Sequence, residues 1–88
     1  MVEKKLTIQN RLGLHARPAA LLVETASKYE ADVSVIKNGF KVNGKSIMGV
    51  LMLAAEMGSE LTVQAKGKDA DEAVKALIDL FNHKFHEE

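Results

Sequence analysis

The sequence predicts an α+β fold in which helices cover one face of a four-stranded antiparallel sheet, with the element order β-α-β-β-α-β-α. Four short segments alternate apolar and polar residues, as strands do when they bury only one side. Three other segments have the apolar spacing or the capping residues of helices. Asn38-Gly39 lies between the second and third strands and favours a two-residue type I′ hairpin turn.

The strand pattern is clearest in "VEKKLTI", in the hairpin "ADVSVIKNGFKVNGKS" and in "ELTVQA". In each strand the apolar residues share one parity: Leu6 and Ile8, then Val33 and Val35, then Phe40 and Val42, then Leu61, Val63 and Ala65. We expect these side chains to face the helices.

The first predicted helix runs from Ala16 to Tyr29, with one apolar stripe. The second lies in "SIMGVLMLAAEMG", with Ser46 as its N-cap and Gly58 just beyond its end. Asp69 and Glu72 resemble a capping box that opens the last helix. The core face of this helix is predicted to consist of Ala73, Val74, Leu77, Phe81 and Phe85, and that of the first helix of Ala19, Leu22, Val23 and Ala26.

Composition excludes several classes of protein. The 88 residues are enough for one domain, residues 1–88, and 47% of them are hydrophobic. Twelve basic residues balance twelve acidic ones, which disfavours a nucleic-acid partner. The chain has no cysteine, and no apolar run approaches the ~20 residues that span a membrane. We therefore expect a cytoplasmic protein without disulfides.

His15 stands at the predicted start of the first helix, where serine, threonine, aspartate or asparagine would be better caps. The amides of Ala16 and Arg17 have no partner within the helix, so with the positive end of the helix dipole they form an anion site. The Arg17 guanidinium adds donors suited to phosphate oxygens. Gly13 permits a tight turn that leaves the ring exposed.

Arginine and the helix end both oppose a positive charge on the ring, so we expect a neutral imidazole at His15. A neutral ring can act as a nucleophile near pH 7, and the same surroundings stabilise a phosphoryl group attached to it. Taken alone, His-x-Arg-Pro is a short motif, and the alternative is that His15 is a weak cap with Arg17 solvated beside it.

The second helix is apolar on every side, yet a chain this small has no second layer to cover it. We expect some of Ile47, Met48 and Leu51 to form an exposed patch, as partner sites do. The alternative, an ordinary core stripe, explains about half of these side chains. His83 and His86 have a spacing that could support a loose metal site, but solvation at a helix end is the better interpretation. We predict no metal and no cofactor.

"GLHARPAA" together with "KSIMGVLML" resembles HPr, the histidine-containing phosphocarrier family of the bacterial phosphoenolpyruvate–sugar phosphotransferase system. The resemblance spans essentially the whole chain. It implies an open-faced β-sandwich with strand order 1-4-2-3 and three helices on one face.

The resemblance also implies a function. His15 would accept a phosphoryl group on Nδ1 from enzyme I and pass it to a histidine of an EIIA protein, with Arg17 beside the phosphohistidine. The protein would be a carrier, not an enzyme, and a monomer that needs no membrane. The residues that match the family's partner-binding surface are Ala20, Ile47, Met48 and Leu51.

Ser46 matches the serine that HPr kinase/phosphorylase modifies in many bacteria, and the modified form can bind a catabolite-control transcription factor. Two alternatives stay open. Leu12 and Glu24 differ from residues common in the family, so the chain could be the nitrogen-branch paralogue. It could also be a regulatory binding module that acts through Ser46, although family members of that kind replace the histidine that is present here at position 15.

Overall fold

The computed structural model describes residues 1–87 and contains the predicted elements in the predicted order. The strands are β1 (Val2–Thr7), β2 (Asp32–Lys37), β3 (Phe40–Asn43) and β4 (Glu60–Lys66). The helices are α1 (Ala16–Ser27), α2 (Ile47–Met52) and α3 (Ala70–Asn82), and a 3-10 turn, Lys84–His86, follows α3.

The four strands are antiparallel and lie in the order β1-β4-β2-β3, which confirms the order that the resemblance implied. β2 and β3 join through Asn38 and Gly39, whose φ values of +50° and +82° fit the predicted type I′ turn. Lys37 pairs with Phe40 directly beside this turn, which fixes the register of the hairpin.

Helices cover one face of the sheet, as predicted. α3 packs against β1 and β4, and α1 packs against α2 and α3. The strand residues predicted to face the helices are buried with the exception of Phe40, which is half exposed at the end of the hairpin. On the open face most side chains are polar, with the partly buried Ile36 as an exception. Gln64 Nε2 donates there to Glu3 Oε1 over 2.8 Å.

The predicted core faces of α1 and α3 are also confirmed. Ala19, Leu22 and Ala26 of α1 are fully buried, and Val23 is partly buried. All five predicted core residues of the C-terminal segment are buried. α1 ends at Ser27, two residues before the predicted end at Tyr29.

The predicted end of the second helix is wrong. α2 stops at Met52, and the left-handed residue beyond it is Ala54 (φ +48°), while Gly58 (φ +90°) belongs to a later turn. Lys37 Nζ donates to the carbonyls of Leu53 and Ala54, 3.2 Å each. A lysine from β2 therefore binds carbonyls that helix ends leave without partners, and the helix can stop early.

The last helix is also shorter than predicted, because it ends at Asn82 and does not include Phe85. Lys84, Phe85 and His86 have φ values of +52°, +55° and +61°, so the chain makes a left-handed turn without glycine. Phe85 remains buried, and its ring lies 4.9 Å from that of Phe81, centroid to centroid. Packing of Phe85 thus holds the turn in place.

The predicted capping box at the start of α3 is absent. Asp69 is the N-cap residue, but its side chain makes no capping hydrogen bond. Its carboxylate instead accepts from the amides of Glu30 (2.9 Å) and Ala31 (2.8 Å), in the loop between α1 and β2. The amides of that loop therefore bind the Asp69 carboxylate in place of the amides of its own helix.

Replacing Asp69 with Asn tests this link between the loop and α3. The amide of Glu30, with that of Ala31, lowers the pKa of Asp69 from the ordinary value of 3.8, by more than partial burial raises it. A carboxyl whose pKa is lower in the folded state stabilises the fold above its unfolded pKa, and this stabilisation is lost as the pH falls through the folded pKa. We expect D69N to be less stable than the wild type at pH 7, with the difference shrinking below about pH 3.8.

Urea unfolding at stepwise lower pH measures this difference. The matched control is D71N, since Asp71 is an exposed acid in the first turn of the same helix. Equal loss of stability in the two variants at pH 7 would show that the bonds to Glu30 and Ala31 contribute nothing.

Candidate functional site

His15 immediately precedes α1 and is its N-cap residue, with φ −80° and ψ −171°. Its carbonyl accepts from the amide of Ala19 over 3.0 Å, which begins the helix. The imidazole makes no capping hydrogen bond. The interpretation of His15 as a side-chain cap is therefore wrong, and the ring is available for another role.

The start of α1 has unused donors. Within residues 1–87 the amides of Ala16 and Arg17 donate to no acceptor, and Pro18 has no amide hydrogen to donate. Ala16 and Arg17 are exposed, and in the same range the Arg17 guanidinium has no hydrogen bond or ion pair. Two amides and a guanidinium next to the imidazole make this end of the helix suited to an anion.

The loop before His15 requires glycine at position 13. Gly13 has φ +69°, and a Cβ there would lie 2.4 Å from the carbonyl oxygen of Ala55. The amide of Leu14 donates to the same oxygen over 2.9 Å. The loop at Gly13 and Leu14 therefore packs directly against the backbone of Ala55, and this contact fixes the position of His15.

Two residues that the sequence did not indicate complete the site. Glu87 Oε2 lies 2.7 Å from His15 Nε2, and Asn10 Nδ2 donates to Glu87 Oε1 and to the carbonyl of Gly13, 2.8 Å each. The side chain of His15 is 38% exposed and that of Glu87 15%. An ionised carboxylate only accepts hydrogen bonds, so a hydrogen bond between these two atoms requires Nε2 of the ring as its donor.

The second helix supplies an exposed apolar surface, as predicted. Ile47 is 46% exposed and Met48 72%, while Leu51 is partly buried and Val50 fully buried. A core stripe thus accounts for Val50 and part of Leu51 only. On α1, Ala20 is exposed one turn beyond Ala16. We call Ala20, Ile47, Met48 and Leu51 the apolar face.

Ser46 is the N-cap of α2, as predicted. Its Oγ accepts from the amide of Gly49 over 3.1 Å, and its backbone is extended, with φ −117° and ψ +116°. The side chain is partly buried beside Ile47, at the edge of the apolar face. A modification of this hydroxyl would therefore change the charge of that surface.

Comparison with known families agrees with these features. The family model described as the phosphorylation site of the HPr component of the phosphotransferase system matches residues 2–83. The chain belongs to the HPr family. It is 46% identical over 88 residues to the phosphocarrier protein HPr of Xylella fastidiosa. That alignment covers 100% of this chain and 99% of the Xylella protein.

Solved HPr structures share the fold. A crystal structure of HPr from Thermoanaerobacter tengcongensis is 50% identical and superposes with a TM-score of 0.97, covering 100% of this chain and 99% of that one. A crystal structure of the Bacillus subtilis catabolite-repression protein Crh, described as a dimer with a swapped domain, is 43% identical with a TM-score of 0.76, covering 96% and 97%. Phosphocarriers and a catabolite-repression protein of the same family therefore both resemble this chain.

The two C-terminal histidines lie outside this site. Their rings stack with centroids 5.8 Å apart, and His83 Nδ1 lies 2.7 Å from the carbonyl oxygen of Asp79. Among residues 1–87, no three side chains of the metal-binding types gather into a possible metal site. In the same range no helix is both long and apolar enough to cross a membrane.

The close approach at Gly13 predicts different costs for two alanine substitutions. G13A adds a side chain that overlaps Ala55 and also has a strained positive φ, so we expect it to lower the free energy of unfolding by about 3 kcal/mol. G39A is the matched control: its φ is +82°, but a Cβ there meets nothing within 4 Å. We expect roughly 1 kcal/mol for the control.

Thermal or urea unfolding of both variants measures these costs, and the NMR signals of the His15 ring report whether the loop has moved. Equal destabilisation of G13A and G39A would mean that the contact with Ala55 is unimportant.

Proposed function

We propose that this chain is a phosphocarrier that accepts a phosphoryl group from enzyme I on His15 and passes it to EIIA proteins. The observation that carries the proposal is the arrangement at position 15: a partly exposed imidazole, not used for capping, next to amides without an acceptor among the described residues. This arrangement occurs in a chain of a phosphocarrier family.

The chemistry needs only the ring and the donors beside it. With the proton on Nε2, the lone pair of Nδ1 attacks the phosphorus of a phosphohistidine on enzyme I, and the donor nitrogen leaves with the electron pair of the broken bond. The transferred group brings negative charge to the start of α1. The amides of Ala16 and Arg17, with the Arg17 guanidinium, stabilise that charge, the helix end contributing about 1 kcal/mol.

Transfer to EIIA reverses these steps. A histidine of EIIA attacks the phosphorus, and the electron pair returns to Nδ1 of His15. The protein ends as it began, so partner enzymes turn it over and it is not itself an enzyme. We place this cycle in the cytoplasm and assign it to residues 1–88 acting as one domain and as a monomer, with the Crh-like swapped dimer as the alternative.

The apolar face is the proposed docking surface for both partners. Met48 and Ile47 are exposed, and α2 packs against α1, whose first turn follows His15. A partner that buries Met48 would therefore bring its own active site close to the ring. Methionine side chains adapt to different partners, which suits a carrier that must bind a donor and an acceptor in turn.

Ser46 is the proposed site of regulation by HPr kinase/phosphorylase. A phosphate there adds about two negative charges at pH 7 and would be tolerated by the start of α2, but it would face an apolar partner surface. Binding of enzyme I should weaken. The modified form could bind a catabolite-control transcription factor, and a purely regulatory module acting through Ser46 is the alternative function, as is the nitrogen-branch paralogue.

The proposed phosphorylation site can be tested with two histidine variants. Incubated with phosphoenolpyruvate, magnesium and enzyme I, the wild type and H83A should gain one acid-labile phosphate, and H15A should gain none. His83 is the matched control, because it is exposed and its ring bonds only to its own helix within residues 1–87. Labelling of H15A would place the site elsewhere.

The same assay separates the alternatives. Faster labelling by the nitrogen-branch enzyme I than by the sugar-branch enzyme I would identify the paralogue. A wild type that neither enzyme labels, but that a kinase phosphorylates on Ser46 with ATP, would support the regulatory module.

A charge at Ser46 should weaken docking without harming the fold. Aspartate caps helices as well as serine does, so S46D keeps α2 while placing a carboxylate at the edge of the apolar face. We expect the Kd for enzyme I to rise about tenfold, since binding must remove water from that carboxylate.

S27D is the matched control: it adds the same charge at the exposed far end of α1. Titration calorimetry with enzyme I compares the variants. An equal change in S27D would assign the effect to net charge, and an unchanged Kd in S46D would place the docking surface elsewhere.

A further inference from the structure

We infer that Glu87 is a positioning residue for phosphoryl transfer: its carboxylate keeps the proton of His15 on Nε2 and leaves Nδ1 as the nucleophile. The inference rests on the proposed function of His15 and specifies how the chain prepares the ring. It begins from the 2.7 Å contact between Glu87 Oε2 and His15 Nε2.

The ring of His15 has no other hydrogen bond within residues 1–87, so Glu87 alone determines which nitrogen carries the proton. A neutral imidazole has one protonated and one unprotonated nitrogen. Since the carboxylate can only accept, the stable neutral form has its hydrogen on Nε2 and its lone pair on Nδ1. The ring is thus held in the tautomer that the transfer requires.

Asn10 holds the carboxylate in place. Its Nδ2 donates to Glu87 Oε1 and to the carbonyl of Gly13, two residues before His15. Asn10 is completely buried, and among the described residues its Oδ1 has no partner. A buried amide oxygen without a partner is unfavourable, so the bonds made by Nδ2 are the ones that explain an asparagine here.

The backbone is strained to bring Glu87 to this place. Lys84, Phe85 and His86 all have left-handed φ values, although none is glycine. This turn directs the chain back to a residue 72 positions earlier in the sequence. Strain that the surrounding structure maintains is common at functional sites, and here its result is the contact with His15.

The same carboxylate serves both halves of the transfer. When Nδ1 forms its bond to phosphorus, the ring keeps the hydrogen on Nε2 and gains a positive charge, which faces the Glu87 carboxylate. When the group leaves, the electron pair of the N–P bond returns to Nδ1 and the ring is neutral again. No proton has to move in either half of the transfer.

The variant E87Q tests the inference because it keeps the shape of the side chain but replaces one carboxylate oxygen, an acceptor, with an amide nitrogen, a donor. Asn10 Nδ2 is fixed by the carbonyl of Gly13, so it requires the oxygen of the introduced side-chain amide as its acceptor. The nitrogen of that amide then faces His15 Nε2 as a donor. We expect the ring proton to move to Nδ1, which removes the nucleophile.

Two measurements follow this change. In 15N NMR of the unphosphorylated protein, the wild type should show a protonated Nε2 and an unprotonated Nδ1 at His15, and E87Q the reverse. With enzyme I and phosphoenolpyruvate, we expect E87Q to lower kcat for labelling about tenfold or more, as loss of a hydrogen bond to a charged group does, with little change in KM. A role in folding alone would not reverse the tautomer.

Two further variants complete the design. E87A removes the acceptor without adding a donor, so its Nε2 proton should exchange faster with water and kcat should fall less than in E87Q. E72Q loses the same charge at an exposed position of α3 and should match the wild type in both measurements.

The inference is overturned if the wild-type ring is protonated on Nδ1, or if E87Q keeps both the wild-type tautomer and the wild-type kcat. The proposed function fails separately: if the wild type is never labelled but E87Q still reverses the tautomer, Glu87 positions the ring and His15 is not the phosphoryl acceptor.

Discussion

The buried apolar side chains of the four strands all lie on one face of the sheet, and the three helices have to fit on that face. A chain of this length buries roughly 60% of its unfolded surface, so it has no further layer to add. α1 and α3 bury their apolar stripes almost in full. α2, with six residues, buries Val50 and leaves Ile47 and Met48 in solvent. The exposure of Ile47 and Met48 is thus a consequence of covering the sheet with short helices, and both lie on the helix that packs against α1.

The C-terminal turn shows how strain and packing can balance. A left-handed conformation costs roughly 1 kcal/mol per residue, or about 3 kcal/mol for Lys84, Phe85 and His86 together. Burial of a phenylalanine side chain contributes about 3 kcal/mol, close to the same amount. Phe85 therefore offsets the cost of the turn by packing on Phe81, and the chain gains the contact between Glu87 and His15 at little net expense.

Local patterns in the sequence were enough to predict most of the fold and the residues around the start of α1. Strand parity, the Asn38-Gly39 turn and the helix stripes depend on neighbours within a few residues, and the structure confirms them. The errors lie where a distant group competes with a local one. Asp69 bonds to the amides of Glu30 and Ala31 and not to its own helix, and Lys37 binds carbonyls after α2. Neither partner can be identified from spacing along the chain.

The same reason explains why the sequence did not indicate Glu87 and Asn10. Glu87 reaches His15 only because the chain turns at Lys84, Phe85 and His86. None of these residue types favours the positive φ values that the turn requires. Asn10 resembles an ordinary turn residue, and its bond to Glu87 depends on that same turn. A weak signal was present for Asn10, because an asparagine three residues before glycine often closes a loop. For Glu87 there was none, since acidic side chains are usually solvated.

A histidine at the N-cap position makes physical sense once both sides of the ring are considered. A serine at position 15 would accept a hydrogen bond from an amide of the first turn and occupy a donor that an anion needs. The imidazole of His15 instead turns to Glu87 and leaves the amides of Ala16 and Arg17 without an acceptor among the described residues. A phosphorylated ring carries a positive charge on one edge and a negative group on the other. If His15 is phosphorylated as proposed, the carboxylate would face the first charge and the start of α1 the second, so each would meet its opposite without a change in the fold.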